Sequence, residues 1–109
     1  MKGHLFALAL IAAFASTASA DELAEKLAAG ETIYKKDCAG CHGEQGISSP
    51  TGSAPHLAGQ KAKYIKFELL AFQKGERPGR LMGSWLSAYT EKDFENLGLY
   101  ISNLKQPCQ

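Results

Sequence analysis

The sequence predicts an all-α domain, and three observations carry that reading. Its 109 residues contain no valine, the other β-branched residues are scattered, and Ala, Leu, Lys and Glu are plentiful. Sheets select β-branched and aromatic side chains, whereas this set favours helix. Three segments repeat apolar residues at helical spacing. The stretches between them are rich in Gly, Ser and Pro and lack the alternation of a strand. The length fits one small domain. Three cysteines and a charged fraction of 21% exclude a disulfide-packed scaffold and a disordered chain. A formal net charge of +1 gives no bulk electrostatic argument for nucleic-acid binding.

Met1 to Ala20 reads as a cleaved secretory leader. Lys2 and His4 open it, Leu5 to Ala15 is an unbroken apolar run, and Ala18-Ser19-Ala20 supplies small residues before the charged Asp21-Glu22. The apolar run is 11 residues long, well short of the roughly 20 that a membrane-spanning helix needs. No cysteine stands at the cleavage site, which speaks against a lipid-anchored form. Cleavage would leave residues 21–109 as one exported, soluble domain with no membrane anchor. It would also leave 11 basic against 11 acidic side chains, with Met82 as the sole methionine. A core that small usually needs a staple such as a metal or a cofactor.

The first helix is expected from about Glu22 to Lys36, with Leu23, Leu27, Gly30 and Tyr34 on one face. The second is expected from about Lys61 to Lys74. Tyr64, Ile65, Phe67, Leu69, Leu70 and Phe72 occupy most of its circumference, which predicts burial on more than one side, and Gly75 can end it. The third is expected from about Glu91 to Leu104. Thr90 serves as N-cap, Asp93 completes a capping-box-like pattern, Phe94, Leu97, Ile101 and Leu104 form the stripe, and Pro107 lies just beyond. Gly43–Gly59 and Gly75–Tyr89 read as irregular. Loops that long signal function, or something large to wrap around.

Cys38-Ala39-Gly40-Cys41-His42 supplies that something. It is a C-x-x-C-H sequence, the attachment signal for a c-type haem. Residues three apart on a helical turn share a face. Cys38 and Cys41 can therefore reach the two vinyl groups on one porphyrin edge, and His42 can swing under the ring to the iron. The small residues at 39 and 40 leave room for the macrocycle. Three other uses of these residues are weaker. A redox C-x-x-C normally follows a strand, a zinc site drawn from Cys38, Cys41, His42, His56 and Cys108 fits no common spacing, and a Cys38–Cys41 disulfide leaves His42 idle.

Met82 is the candidate second axial ligand, 40 residues after His42 in a Gly-flanked segment. His/Met ligation is an established arrangement, and a neutral sulfur raises the reduction potential. The rival ligand is His56, whose ordinary reading is a surface polar residue. The ordinary reading of Met82 is core packing.

Taken together, these segments resemble the class I c-type cytochromes, close to the small bacterial periplasmic monohaem forms. Gly30-x-x-x-Tyr34 ahead of Cys38-x-x-Cys41-His42 is similar to the family's first helix. Pro55-His56-Leu57-Ala58-Gly59-Gln60 resembles its Pro-Asn-Leu-x-Gly segment, with His56 in place of Asn. Phe72 to Arg77 ahead of Met82, and Asp93 to Leu104, resemble the remaining segments. The resemblance implies the class I fold, with three main helices and long loops wrapped around one covalently bound haem c. It implies a crossing of first and last helices near Gly30, against Leu97 and Tyr100. It implies that the Pro55 carbonyl accepts from Nδ1–H of His42. It leaves Trp85 with two roles, core or a propionate contact alongside Arg77 and Arg80.

The function expected is one-electron transfer between a redox donor and a redox acceptor, with no catalysis by this chain. The alternative is a haem subunit of a larger oxidoreductase, since Met82 to Tyr100 also resembles subunits of sulfur-oxidising flavocytochromes. Lys61, Lys63, Lys66, Lys74, Arg77 and Arg80 form a basic stretch. Such runs are ordinarily solvated helix faces; here they have a second reading, a rim that steers acidic partners. Cys108 is left over, as a free thiol or an intermolecular bridge. The oligomeric state, the partners and the potential are not encoded legibly.

Overall fold

The computed structural model describes residues 5–47, 49–52 and 54–106. All regular structure among them is helical: α1 (Leu5–Ile33), a π-helical turn (Tyr34–Cys38), α2 (Ala39–His42), α3 (Ala62–Gln73), α4 (Arg80–Leu86) and α5 (Glu91–Asn103). Met1 to His4 of the expected leader, Pro107 and Cys108 lie outside the described residues. No helix among the described residues is long and apolar enough to cross a membrane.

Helix α1 begins well before Glu22. The Ala- and Leu-rich stretch over residues 5–20 is a strong helix former without an interior Gly or Pro, so the helix runs unbroken past residue 20. The expected stripe is buried only in part. Gly30 and Tyr34 are buried, Leu27 is half-buried, and Leu23 is exposed. Ala24, Leu27, Ala28 and Glu31 face Tyr100, Asn103 and Leu104 across a groove. Leu23 lies beyond that pairing, past the reach of α5.

Helix α5 forms as its sequence dictates. The Thr90 hydroxyl accepts from the Asp93 N–H at 3.2 Å, and the Asp93 carboxylate accepts from the Thr90 N–H at 2.8 Å. This capping box satisfies donors the helix start would otherwise orphan. Phe94, Leu97 and Ile101 are almost completely buried.

Helix α3 ends in a Schellman motif. Gly75 takes φ 74°, its N–H reaches Phe72 O at 3.2 Å, and Glu76 N–H reaches Ala71 O at 2.9 Å. The helix is less buried than expected. Ile65 and Leu69 are buried, Tyr64 lies at a cavity edge, and Phe67 points outward at 72% exposure. One face meets α5 and the adjacent face lines the cavity, so no element covers Phe67.

The segment Gly75–Tyr89 is not wholly irregular, because α4 forms within it. The core cluster joins Tyr34, Ala39, Ile65, Leu69, Leu86, Phe94, Leu97 and Ile101. The first and last helices cross at Gly30. A side chain there would meet Asn96 and Tyr100, so the near neighbour is the Asn96 backbone in place of the expected Leu97.

Candidate haem site

The expected site residues converge on one cleft. Cys38, His42, Pro55, His56 and Met82 all line it, together with an apolar wall that includes Leu57, Ile65, Leu69, Phe72, Leu97 and Ile101. Cys41 is not part of the lining and is exposed. Neither Cys38 nor Cys41 is in a disulfide.

The attachment segment is shaped by the π-helical turn over Tyr34–Cys38. Such turns insert one extra residue per turn and occur often at functional sites. Cys38 closes the turn and opens α2, which carries Cys41 and His42. Two hydroxyls hold the end of α2. Tyr34 Oη donates to Gly43 O at 2.7 Å, and Ser49 Oγ donates to Cys41 O at 2.6 Å. Tyr34 is fully buried, and that burial pushes its hydroxyl well above the ordinary tyrosine range.

His42 is buried, and its Nδ1 lies 2.9 Å from Pro55 O. A carbonyl only accepts, so Nδ1 carries a proton, and in the neutral ring the free lone pair is on Nε2. The donor set is thus an imidazole nitrogen, a thioether and a thiol in an apolar cleft, which fits a haem with a soft axial partner. It fits a redox dithiol poorly. Burial, then the Asp37 carboxylate, push the Cys38 thiol up to about 12, whereas reactive thiols have lowered values. Among the described residues, no three His, Cys, Asp or Glu side chains are grouped to hold a metal ion.

The Cytochrome c family description matches residues 27–105 of the chain. This chain belongs to the cytochrome c family. Cytochromes c hold haem c covalently and transfer electrons, and this one inherits that role. The chain is 35% identical over 89 residues to a cytochrome c-554(547) of Halothiobacillus neapolitanus, covering 72% of this chain and 96% of that protein. It is 34% identical over 74 residues to the cytochrome subunit of sulfide dehydrogenase of Chlorobaculum tepidum, covering 68% of this chain and 66% of the relative. It is 34% identical over 73 residues to a thiosulfate dehydrogenase electron acceptor of Stutzerimonas stutzeri, of which it spans 33%.

In this cytochrome c, Tyr64 and Glu68 were not singled out by motif as site residues. Gln60, Tyr64 and Glu68 line the cleft. Arg77 also lines it, pairs with Glu68 and stacks 4.6 Å above the Phe72 ring. Trp85 is exposed at 56% and is absent from both core and cleft. The core role expected for it is not met. The Arg80 side chain lies outside the described residues.

Proposed function

We propose that this cytochrome c is an exported, periplasmic one-electron carrier with one His42/Met82-ligated haem per chain, attached through Cys38 and Cys41. Residues 1–20 are read as a cleaved leader and residues 21–109 as the carrier domain. The observation that carries the reading is that His42 and Met82 line one apolar cleft while Nδ1 of His42 is committed to Pro55. Bound haem supplies an iron that exchanges single electrons between Fe(III) and Fe(II).

The chain's own residues do the rest. The Pro55 carbonyl fixes the tautomer and ring orientation of His42 and raises the basicity of Nε2. The uncharged sulfur of Met82 favours the reduced state and raises the potential. Leu57, Ile65, Leu69, Leu97 and Ile101 exclude water and so limit reorganisation. Arg77 at the cleft lining suits an acidic edge of the cofactor. His56 is a poor rival to Met82. Its neighbour Pro55 is tied to Nδ1 of His42, so this segment stands on the His42 side of the site.

Steering by a basic rim is weakened by internal pairing. Lys66 lies 2.9 Å from Glu91 and 2.7 Å from Glu95, and Arg77 is paired with Glu68. Lys61, Lys63 and Lys74 make no ion pair among the described residues, and they are the cations left to meet an acidic donor or acceptor. Association carried by them slows as salt rises.

The deciding experiment is the optical spectrum of the oxidised protein. A thioether-to-iron charge-transfer band in wild type, lost in Met82→Leu with haem still attached, is the expected result. A wild-type protein without the band removes Met82 from the iron.

A second reading has its own support. The exposed Leu81, Trp85 and Phe67, and the relative named as a subunit of sulfide dehydrogenase, suit a resident subunit of a larger oxidoreductase. Native size-exclusion separates the two readings: a carrier elutes alone, a subunit elutes with its partner.

A further inference from the structure

We propose that Gln73 is the positioning residue for Met82, its side-chain amide pinning the helix that carries the sulfur onto the last turn of α3. The inference rests on the reading of Met82 as an axial ligand. Helix α4 has only seven residues, no side-chain N-cap, no acidic first turn and no basic last turn. A helix this short does not hold itself in water. Its order comes from its neighbours.

Gln73 supplies the hold at one end. Its Nε2 donates to Leu86 O at 2.9 Å and to Tyr89 O at 2.7 Å. The first is a last-turn carbonyl of α4, which also accepts from the Tyr89 N–H at 3.2 Å, and the second is a carbonyl in the link to α5. Both amide hydrogens are used, and Gln73 is half-buried, so water competes only partly.

Phe72 supplies the hold at the other end. Its ring fills the space beside Gly79, where an added side-chain carbon would fall 2.4 Å from a ring atom. Two consecutive residues of α3 thus grip α4 at its start and its finish. Met82 lies between these grips, four residues before the buried Leu86. Without the amide, the Tyr89 carbonyl loses the Gln73 donor and the Leu86 carbonyl is left with the Tyr89 N–H, α4 is no longer tied to α3 at its C-terminal end, and Met82 spends less time on the iron.

The test uses the full-length, haem-loaded, oxidised protein titrated with imidazole, which competes with Met82 for the iron. Gln73→Met keeps the length of the side chain and removes both donors. Gln73→Glu replaces them with an acceptor that repels the two carbonyls, and Gln73→Arg keeps donors. Imidazole is expected to bind Gln73→Met about tenfold more tightly than wild type, the ~1.4 kcal/mol of two partly shielded hydrogen bonds. Gln73→Glu is expected to bind it at least as tightly as Gln73→Met, and Gln73→Arg to return toward wild type. Imidazole affinity unchanged in Gln73→Met and Gln73→Glu, even with a lowered unfolding midpoint, overturns the proposal and leaves Gln73 a structural residue. Failure of the Met82 reading looks different: wild type itself then lacks the charge-transfer band, and Met82→Leu binds imidazole as wild type does.

Discussion

Gly30 and Asn96 meet where α1 crosses α5, and a side-chain carbon built on Gly30 would fall 2.2 Å from the Asn96 carbonyl oxygen. No rotamer relieves a clash between a β-carbon and a backbone, so the helices must move apart. Gly30→Ala gains helix propensity of ~1 kcal/mol, yet overpacking at a backbone contact costs more. The expected net loss is about 2 kcal/mol, read as a lower unfolding midpoint in denaturant with the haem spectrum intact at zero denaturant.

Tyr34→Phe removes one oxygen from a fully buried side chain and one of the two donors to the Gly43 carbonyl, leaving the Gly46 N–H at 3.1 Å. The expected cost is about 1–2 kcal/mol. The loss falls beside His42, so amide hydrogen exchange at residues 43–46 should accelerate more than exchange in α3. Equal acceleration in both regions would show that the hydroxyl acts on global stability alone.

Alkaline pH acts through Tyr89. Its hydroxyl donates to the Asp37 carboxylate, and burial first, then that bond, raise its pKa from 10.0 to about 12. The folded state therefore holds a proton that the unfolded state releases. The sign follows: this contribution is complete below pH 10, declines as the unfolded tyrosine ionises, and is exhausted by about pH 12. Urea midpoints measured across that window should fall more steeply in wild type than in Tyr89→Phe.

Thr90→Ala opens the capping box. The Asp93 N–H loses its acceptor, and the expected destabilisation is about 1 kcal/mol. Thr90→Ser keeps the hydroxyl and should unfold within a few tenths of a kcal/mol of wild type.

The ends of α5 and α3 were readable because they depend on local chemistry. Thr90, Asp93 and Gly75 act on backbone groups a few residues away, and the chain carries that information in sequence order. Cys38, His42, Pro55 and Met82 share one cleft; Cys38 and His42 stood out by the C-x-x-C-H spacing, Met82 as the sole methionine after residue 20, and Pro55 through the family resemblance alone. Helix α4 was hidden because Pro78, Gly79 and Gly83 argue against helix locally, and what holds it is Phe72 and Gln73 on another element. The π-helical turn has no local pattern at all; Lys35, Lys36 and Asp37 would suit an ordinary helix equally well. Phe67 was misjudged because hydrophobic periodicity records which side chains are apolar, and only packing tells which face finds a cover.

The crossing of α1 with α5 carries a consequence for how the protein is assembled. The two helices that close the fold lie at opposite ends of the chain, and Leu97 and Ile101 on the later one complete the cleft wall. Until α5 docks on α1 and α3, the wall lacks those two side chains and the chamber stays ajar; the docking of α5 is its latch.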